Sequence, residues 1–392
     1  MKGQKNRKRS RTMERIRIHL CSELINTERI PVDNMCFERL KQIYINIETP
    51  FHLGSGEGGA VFKLSTRKLP RKDVAVKLLS YSDNNMDDVN SEISKGVRAV
   101  AKRELAISCE INKLRKKYSS VFVTTLGYLL CSNVPKSWMD KLSKNNDNYE
   151  KRFTEYLLIF MRKPPHSFLG KVEGDYYQFD LGKYSLSLFF LLLHGIYIGR
   201  KRLGFVHGDI ASRNILFDDI HVDKEEEENW IPVRVENVNY LVLFHPGIVP
   251  KIIDFGTAST KQNYRRDTNR NDLSSLIKTL GERTDISNQE WYQTMTEPNI
   301  WKNPDFEARE EYNNLPVMED EWQELSDFLQ TGRIFQDSEF IKVVESNKNA
   351  RLVESCVFCH QEADLMFPGT NEHRFCNSYC AEKIEDMADF LP

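Results

Sequence analysis

The chain has 392 residues, of which 40% are apolar, with 55 Lys and Arg against 57 Asp and Glu and a formal net charge of −2. That length allows one large two-part domain plus a small appendage, the apolar fraction allows a sizeable core, and the charge balance excludes a nucleic-acid-type polycation. The longest strongly apolar stretch, 186–193, is far too short to span a bilayer, and no apolar segment follows the charged start; the expectation is a soluble intracellular protein, cytoplasmic or nuclear, with no membrane association.

The first seventeen residues set Lys2, Lys5, Arg7, Lys8, Arg9, Arg11, Arg15 and Arg17 against Glu14 alone. Such a basic arm is either a solvated tail or a contact for an anionic partner, nucleic acid included, and both readings stand. Residues 16–47 carry mixed helical patterning without a firm assignment, so 1–47 is taken as arm and N-terminal extension. From about Thr49 the pattern turns to strands at 50–54, 60–64 and 73–79, rich in β-branched and aromatic residues. A polar stretch, 81–90, leads into a long helix. A strand at 155–161 runs into Lys163-Pro164-Pro165, a break that suits a hinge. Residues 184–200 form a nearly all-round apolar helix, which must be buried. Further on, 239–244 and 248–253 flank His245-Pro246-Gly247 and read as a hairpin. The run of glutamates at 225–228 is a solvated surface feature. Cys21, Cys36, Cys109 and Cys131 are scattered, which in a chain without a signal segment suggests reduced thiols and not a disulfide framework.

Four motifs follow one another along this pattern. Leu53-Gly54-Ser55-Gly56-Glu57-Gly58-Gly59-Ala60-Val61 precedes Val74-Ala75-Val76-Lys77, and His207-Gly208-Asp209-Ile210-Ala211-Ser212-Arg213-Asn214 and Asp254-Phe255-Gly256 lie far downstream. The Gly-rich loop alone reads as well as a flexible hairpin. All four in this order resemble the eukaryotic-type protein kinases, over about residues 50–280. The resemblance implies an α+β, two-lobed protein-kinase-like fold, with an N-lobe at 48–165 and a C-lobe at 166–350. It also implies ATP- and Mg2+-dependent transfer of a γ-phosphoryl group to a protein hydroxyl, Ser or Thr by superfamily prior. A protein substrate would be the partner; the oligomeric state is not legible.

Each motif residue then has an expected task. Gly54, Gly56 and Gly59 let a strand-turn-strand ribbon approach phosphates where a Cβ would collide, and Gly58 adds freedom. Leu53, Ser55, Glu57, Ala60, Val61 and Ala75 complete the implied nucleotide site. Lys77 would pair with the α- and β-phosphates and needs an acidic anchor. Val97, Val100, Ile107, Ile111 and Leu114 recur at helical spacing, and Glu104 falls within that stripe, whereas Glu110 points roughly away from it. A carboxylate on a buried face needs a cation, so Glu104 is the expected partner of Lys77; a helix-surface salt bridge is the alternative. Asp209 would serve as catalytic base or orient the attacking hydroxyl, with Arg213 just ahead of Asn214. Asn214 and Asp254 would hold Mg2+, for which oxygen donors are suited.

The departures matter as much. Gly208 replaces the arginine usual before the catalytic aspartate, which removes the cation that would meet a phosphorylated loop. Ala211 replaces the lysine of Ser/Thr kinases, and Ala211-Ser212-Arg213-Asn214 looks more like the Tyr-kinase loop. No Ala-Pro-Glu follows Asp-Phe-Gly, and only fifteen residues separate Gly256 from Asp272. The short segment, together with Glu104-Leu-Ala-Ile-Ser-Cys-Glu110, is similar to haspin-type kinases. The insertion before Asp254 resembles divergent kinase-like proteins of large DNA viruses, which would place the protein in a host cell. His-Gly-Asp also resembles aminoglycoside- and choline-type phosphotransferases, so a small-molecule acceptor stays open, as does a scaffold that keeps the fold.

At the C-terminus, Cys356-Val-Phe-Cys359 and Cys376-Asn-Ser-Tyr-Cys380 are two short-spaced pairs. They match four-thiolate tetrahedral zinc and are similar to treble-clef fingers, so 353–392 is taken as a structural Zn2+ module; two disulfides or free thiols are the alternatives. A closed four-Cys site leaves no open position for catalysis, and so short a module would take its folding energy from the metal.

Overall fold

The computed structural model describes residues 19, 21, 30–56, 59–65, 73–83, 91–119, 121–142, 153–169, 181–219, 229–245, 248–263, 271–296, 321–336 and 338–344. They form an α+β structure with one mixed six-stranded sheet and two three-stranded sheets. Among the described residues no helix is long and apolar enough to cross a membrane.

The large sheet has the order β1 (Val32–Asp33), β5 (Thr125–Ser132), β6 (Phe153–Arg162), β4 (Asp73–Asp83), β3 (Gly59–Ser65) and β2 (Phe51–Gly56). β1 runs parallel to β5 and every other pair is antiparallel. Strand side chains alternate between faces, and β4 shows what this does. Val74, Val76 and Leu78 point to one face, where α1 (Cys36–Ile43) and α3 (Lys136–Leu142) bury Phe37, Leu40 and Trp138 against Phe62, Tyr156 and Leu158. Leu79 and Tyr81 point to the other, where α2 (Ser91–Lys117) packs Ala101, Leu105 and Cys109 against Leu157 and Ile159. Lys77 shares the parity of Leu79, so the strand period alone delivers it to the α2 face. Within the described part of the extension before residue 48, Cys36, Phe37, Leu40, Tyr44 and Ile47 are part of the core on the opposite face.

The expected buried helix is α4 (Ser185–Leu203), with every residue from Leu188 to Arg200 buried. It ends at Gly204, whose φ of 59° is the left-handed conformation that closes a helix at no steric cost to glycine. Around α4 lie two small sheets: β7 (His166–Ser167), β8 (Ile215–Asp219) and β11 (Ile248–Ile252) in the order β11-β8-β7, and β9 (Asn229–Val235), β10 (Val238–Phe244) and β12 (Ile341–Val344) in the order β12-β10-β9. The remaining helices are α5 (Asp272–Leu280), α6 (Thr284–Ser287), α7 (Glu290–Thr296), α8 (Glu321–Thr331) and α9 (Arg333–Gln336).

Two expectations are corrected. The segments at 239–244 and 248–253 do not pair with each other; β10 pairs with β9 and β12, while β11 pairs with β8. The hairpin is instead β9–β10, turning at Glu236 (φ 50°), whose carboxylate is held by Lys201 and Tyr197 of α4. β10 and β11 belong to different sheets, and only long-range pairing could show that. The scattered cysteines are not free thiols either. Cys21 is bonded to Cys109 and Cys36 to Cys131, with Cα–Cα separations of 5.2 and 5.8 Å. Sequence separations of 88 and 95 residues gave no hint of this proximity. One bridge ties α2, the other α1, to chain distant in sequence.

His194, buried on α4, hydrogen-bonds through Nε2 to the Arg234 carbonyl of β9 at 3.0 Å. Burial outweighs that bond and pushes the imidazole down to about 4. The unfolded chain therefore binds this proton first as pH falls, and stability is lost progressively from about pH 6.5 to about pH 4. The full loss from this group is roughly 3 kcal/mol. Urea denaturation from pH 7 to pH 4 should show that slope, and His194→Gln should remove most of it; an unchanged slope in the variant would show that other groups carry it.

Candidate active site

Three charged side chains from three elements meet at one point. Lys77 Nζ on β4 lies 2.5 Å from Glu104 Oε1 on α2 and 2.8 Å from Asp254 Oδ1. The lysine and glutamate are almost fully buried, while Asp254 is 45% exposed and opens the cluster to solvent. Burial alone would lower the Lys77 pKa, but the negative charges of Glu104 and Asp254 outweigh it and hold the ammonium well above its usual range. Burial pushes Glu104 up against the pull of Lys77. For Asp254 burial is outweighed by Lys77 and by the Gly256 amide, so the carboxylate stays ionised below its ordinary range. Gly256 packs closely here: a Cβ on it would stand 3.3 Å from Asp254 Oδ1, 3.3 Å from Lys77 Nζ and 3.4 Å from Glu104 Oε2, so a side chain would press on the cluster.

Sheet register explains the neighbours. Val61 of β3 is the cross-strand partner of Lys77, and Ala75 lies two residues back on the same face. β2 and β3 form the glycine ribbon, with Gly54 opposite Val61, Ser55 opposite Ala60 and Gly56 opposite Gly59. A Cβ at Gly54 would project into open space, and Leu53 is 40% exposed, so this edge stands clear of the protein's own packing. Ser55 is tied down: its hydroxyl donates to the Lys141 carbonyl at 3.0 Å and meets His52 Nε2 at 2.7 Å. Glu57 and Gly58 at the ribbon tip lie outside the described residues, as do residues 1–18 of the basic arm and Cys356, Cys359, Cys376 and Cys380.

A second group is delivered by the β8–β11 pair. Ile215 opens β8 opposite Ile252 at the end of β11, so the residues flanking these ends, Asn214 and Ile253, come together, with Asp254 next along the chain. The Ile253 amide donates to the Asn214 carbonyl at 3.0 Å, which fixes the junction. Asp254 has φ 63°, an unusual backbone for a non-glycine residue and one more common for Asp than for most. On the short 3-10 turn Ser212–Asn214, Asn214 Nδ2 donates to the Asp209 carbonyl at 2.8 Å and to Asp209 Oδ2 at 3.0 Å. Arg213 Nη2 donates to Asp209 Oδ1 and Oδ2, both at 2.7 Å. An ionised carboxylate has about four acceptor sites; these three bonds leave one for an outside donor.

The loop carrying Asp209 is itself held from behind. His207 is fully buried, its Nε2 bonds the Ile253 carbonyl at 2.9 Å, and its Nδ1 accepts the Asp209 amide at 3.3 Å. Phe255 packs against His207 and Phe205 with ring centroids 6.0 Å away in each case. Asp272, at the start of α5 and 1% exposed, accepts the amides of His207 (2.9 Å) and Gly208 (3.0 Å) and faces Arg200 at 3.5 Å. Gly208 has φ 77°, where a side chain would be strained. Asp272 was missed as a site residue in the sequence; the available signal was a carboxylate opening an amphipathic helix. Glu110, set aside from the lysine pair, bonds to the segment beyond Gly256.

The donor set suits a hard divalent cation. Asn214 gives its N–H groups to Asp209, which leaves its side-chain oxygen, and Asp254, 45% exposed, has Oδ2 in addition to the Oδ1 that meets Lys77. Among the described residues no three His, Cys, Asp or Glu side chains converge to form an all-protein cage. Mg2+ commonly takes only one or two protein ligands and completes its shell with phosphates and water. Compared with family models and with curated proteins, the chain finds no match.

Proposed function

We propose that this chain is an ATP- and Mg2+-dependent protein kinase with a two-lobed, protein-kinase-like fold: an N-lobe over 48–165, with 30–47 packed onto it, a C-lobe over 166–350 and a zinc module at 353–392. The observation that carries the reading is Lys77 held between Glu104 and Asp254, on the strand paired with β3 of the glycine ribbon. A lysine so anchored presents a fixed positive charge to phosphate oxygens, and the ribbon offers backbone without side chains. Mg2+ bound by Asp254 and Asn214 would neutralise charge on the transferring phosphoryl group. Asp209 has one acceptor site left, suited to a hydroxyl donor, while Arg213 and Asn214 hold its carboxylate in place. Positioned charges of this kind supply most of the catalysis in phosphoryl transfer.

The test is transfer from labelled ATP, with a protein extract in one arm and a panel of small hydroxyl and amine acceptors in the other. Label in protein supports the proposal; label in small molecules alone would replace it with a small-molecule phosphotransferase. Nucleotide binding without transfer would leave a scaffold. Asp254→Ala should weaken Mg-dependent ATP binding by about tenfold or more, as loss of a charge-assisted contact does; unchanged affinity would refute the cation site. The zinc module is proposed from the cysteine spacing alone. Elemental analysis should find about one zinc per chain, lost when Cys356→Ser and Cys359→Ser are combined, with ATP binding retained.

A further inference from the structure

Glu110 has no task among the residues proposed to handle phosphate. It lies on α2 six residues past Glu104, hence about 9 Å along the axis and about a third of a turn round it. Its Oε1 accepts a hydrogen bond from Asn263 Nδ2 at 3.0 Å, and Thr260, at the other end of the same turn, stands near the carboxylate. The turn it grips is closed on itself, because the Asn263 amide donates to Thr260 Oγ1 at 3.0 Å and the Thr260 amide to the Asn263 carbonyl at 3.2 Å. Upstream, Ser259 and Val206 exchange both backbone bonds at 2.9 Å, Thr257 Oγ1 donates to the His207 carbonyl at 3.0 Å, and the Gly256 amide donates to Asp254 Oδ1 at 3.2 Å.

These contacts form a ring. From Glu104 the path runs to Lys77, then Asp254, then along 254–263, and returns to α2 through Glu110. A helix is stiff over two turns, so α2 cannot withdraw Glu104 from Lys77 without straining or breaking the bonds at Glu110. We propose that Glu110 is a positioning residue that couples the seating of α2, and with it the Glu104–Lys77 pair, to the ordered state of the segment after Asp254. The site is thereby held assembled with no phosphate added to that segment. Gly208 offers no side chain to receive such a phosphate, and Thr260, 1% exposed, faces a carboxylate that would repel one. The significance of the lysine pair rests on the kinase reading above; the ring of contacts does not.

The experiment uses the full chain as wild type, Glu110→Ala, Glu110→Gln, Asn263→Ala and the double variant Glu110→Ala with Asn263→Ala. Amide hydrogen exchange is followed in 101–111 and 254–263, alongside kcat and KM for ATP. Loss of a hydrogen bond to a charged group should speed exchange about tenfold or more in both regions, and weaken ATP use by a similar factor. Glu110→Gln keeps an oxygen acceptor for the Asn263 amide and should stay within about threefold of wild type. The double variant should be no worse than the worse single one, since both break one contact. Exchange changes confined to 260–263, additive effects, or Glu110→Gln as poor as Glu110→Ala would overturn the proposal. Asn263→Ala removes only the partner's amide, which keeps the test decisive should Glu110→Ala fail to fold. Absence of ATP turnover in the wild type would defeat the kinase reading, while the exchange results would still decide the role of Glu110.

Discussion

Asp209→Asn is expected to lower single-turnover phosphoryl transfer by about 10²–10⁴-fold, the usual contribution of a positioned base. Mg-ATP affinity should stay nearly unchanged, because the proposed kinase reading puts Asp209 on the acceptor side of the site and Lys77, Asn214 and Asp254 on the nucleotide side. The substitution keeps size but removes charge and one acceptor oxygen. Arg213 bonds both Oδ atoms and Asn214 bonds Oδ2. With an amide in place of the carboxylate, one of those donors meets a donor, and no negative group remains to draw a proton from a hydroxyl. Equal turnover by wild type and variant in rapid-quench assays would sink the enzyme reading altogether.

The second large effect is one of stability. Asp272→Ala should destabilise the fold by about 3–5 kcal/mol, the range seen when one partner of a buried ion pair is removed. Arg200 is 7% exposed and would lose the Asp272 carboxylate, and the His207 and Gly208 amides would lose their acceptor. Asp272→Asn keeps an oxygen for one amide and should cost less. The comparison is made by urea denaturation of both variants; an alanine variant with the wild-type midpoint would show that the loop bearing Asp209 needs no anchor from α5.

Much of this could be read before any coordinates. The strands at 50–54, 60–64, 73–79 and 155–161 correspond to β2, β3, β4 and β6, and the apolar helix corresponds to α4, because each carries a strong local period. Glu104 could be selected over Glu110 from helical spacing alone, and the structure brings its carboxylate onto Lys77. What escaped is what depends on partners far along the chain. Residues 30–47 had no clear period because α1 is short and its apolar residues face a sheet formed later in the sequence. The β9–β10 hairpin was misread because 239–244 and 248–253 each look like good strands, and nothing local says which neighbour a strand will choose.

Residue type and spacing by themselves singled out Lys77, Asp209, Asn214 and Asp254, and determined which helix had to be buried and which face of α2 held the acidic anchor. These are one-dimensional properties: alternation in a strand and a 3.6-residue period in a helix place a side chain relative to its own element and nothing more. The tertiary structure decided the rest. It paired Cys21 with Cys109 and Cys36 with Cys131, set Asp272 under the loop of Asp209, and turned Glu110 from a surface residue into a contact with Thr260 and Asn263. Those contacts join residues far apart in the chain, from 64 positions between Gly208 and Asp272 to 153 between Glu110 and Asn263. They arise only when separate elements close on a common core, so no local pattern records them.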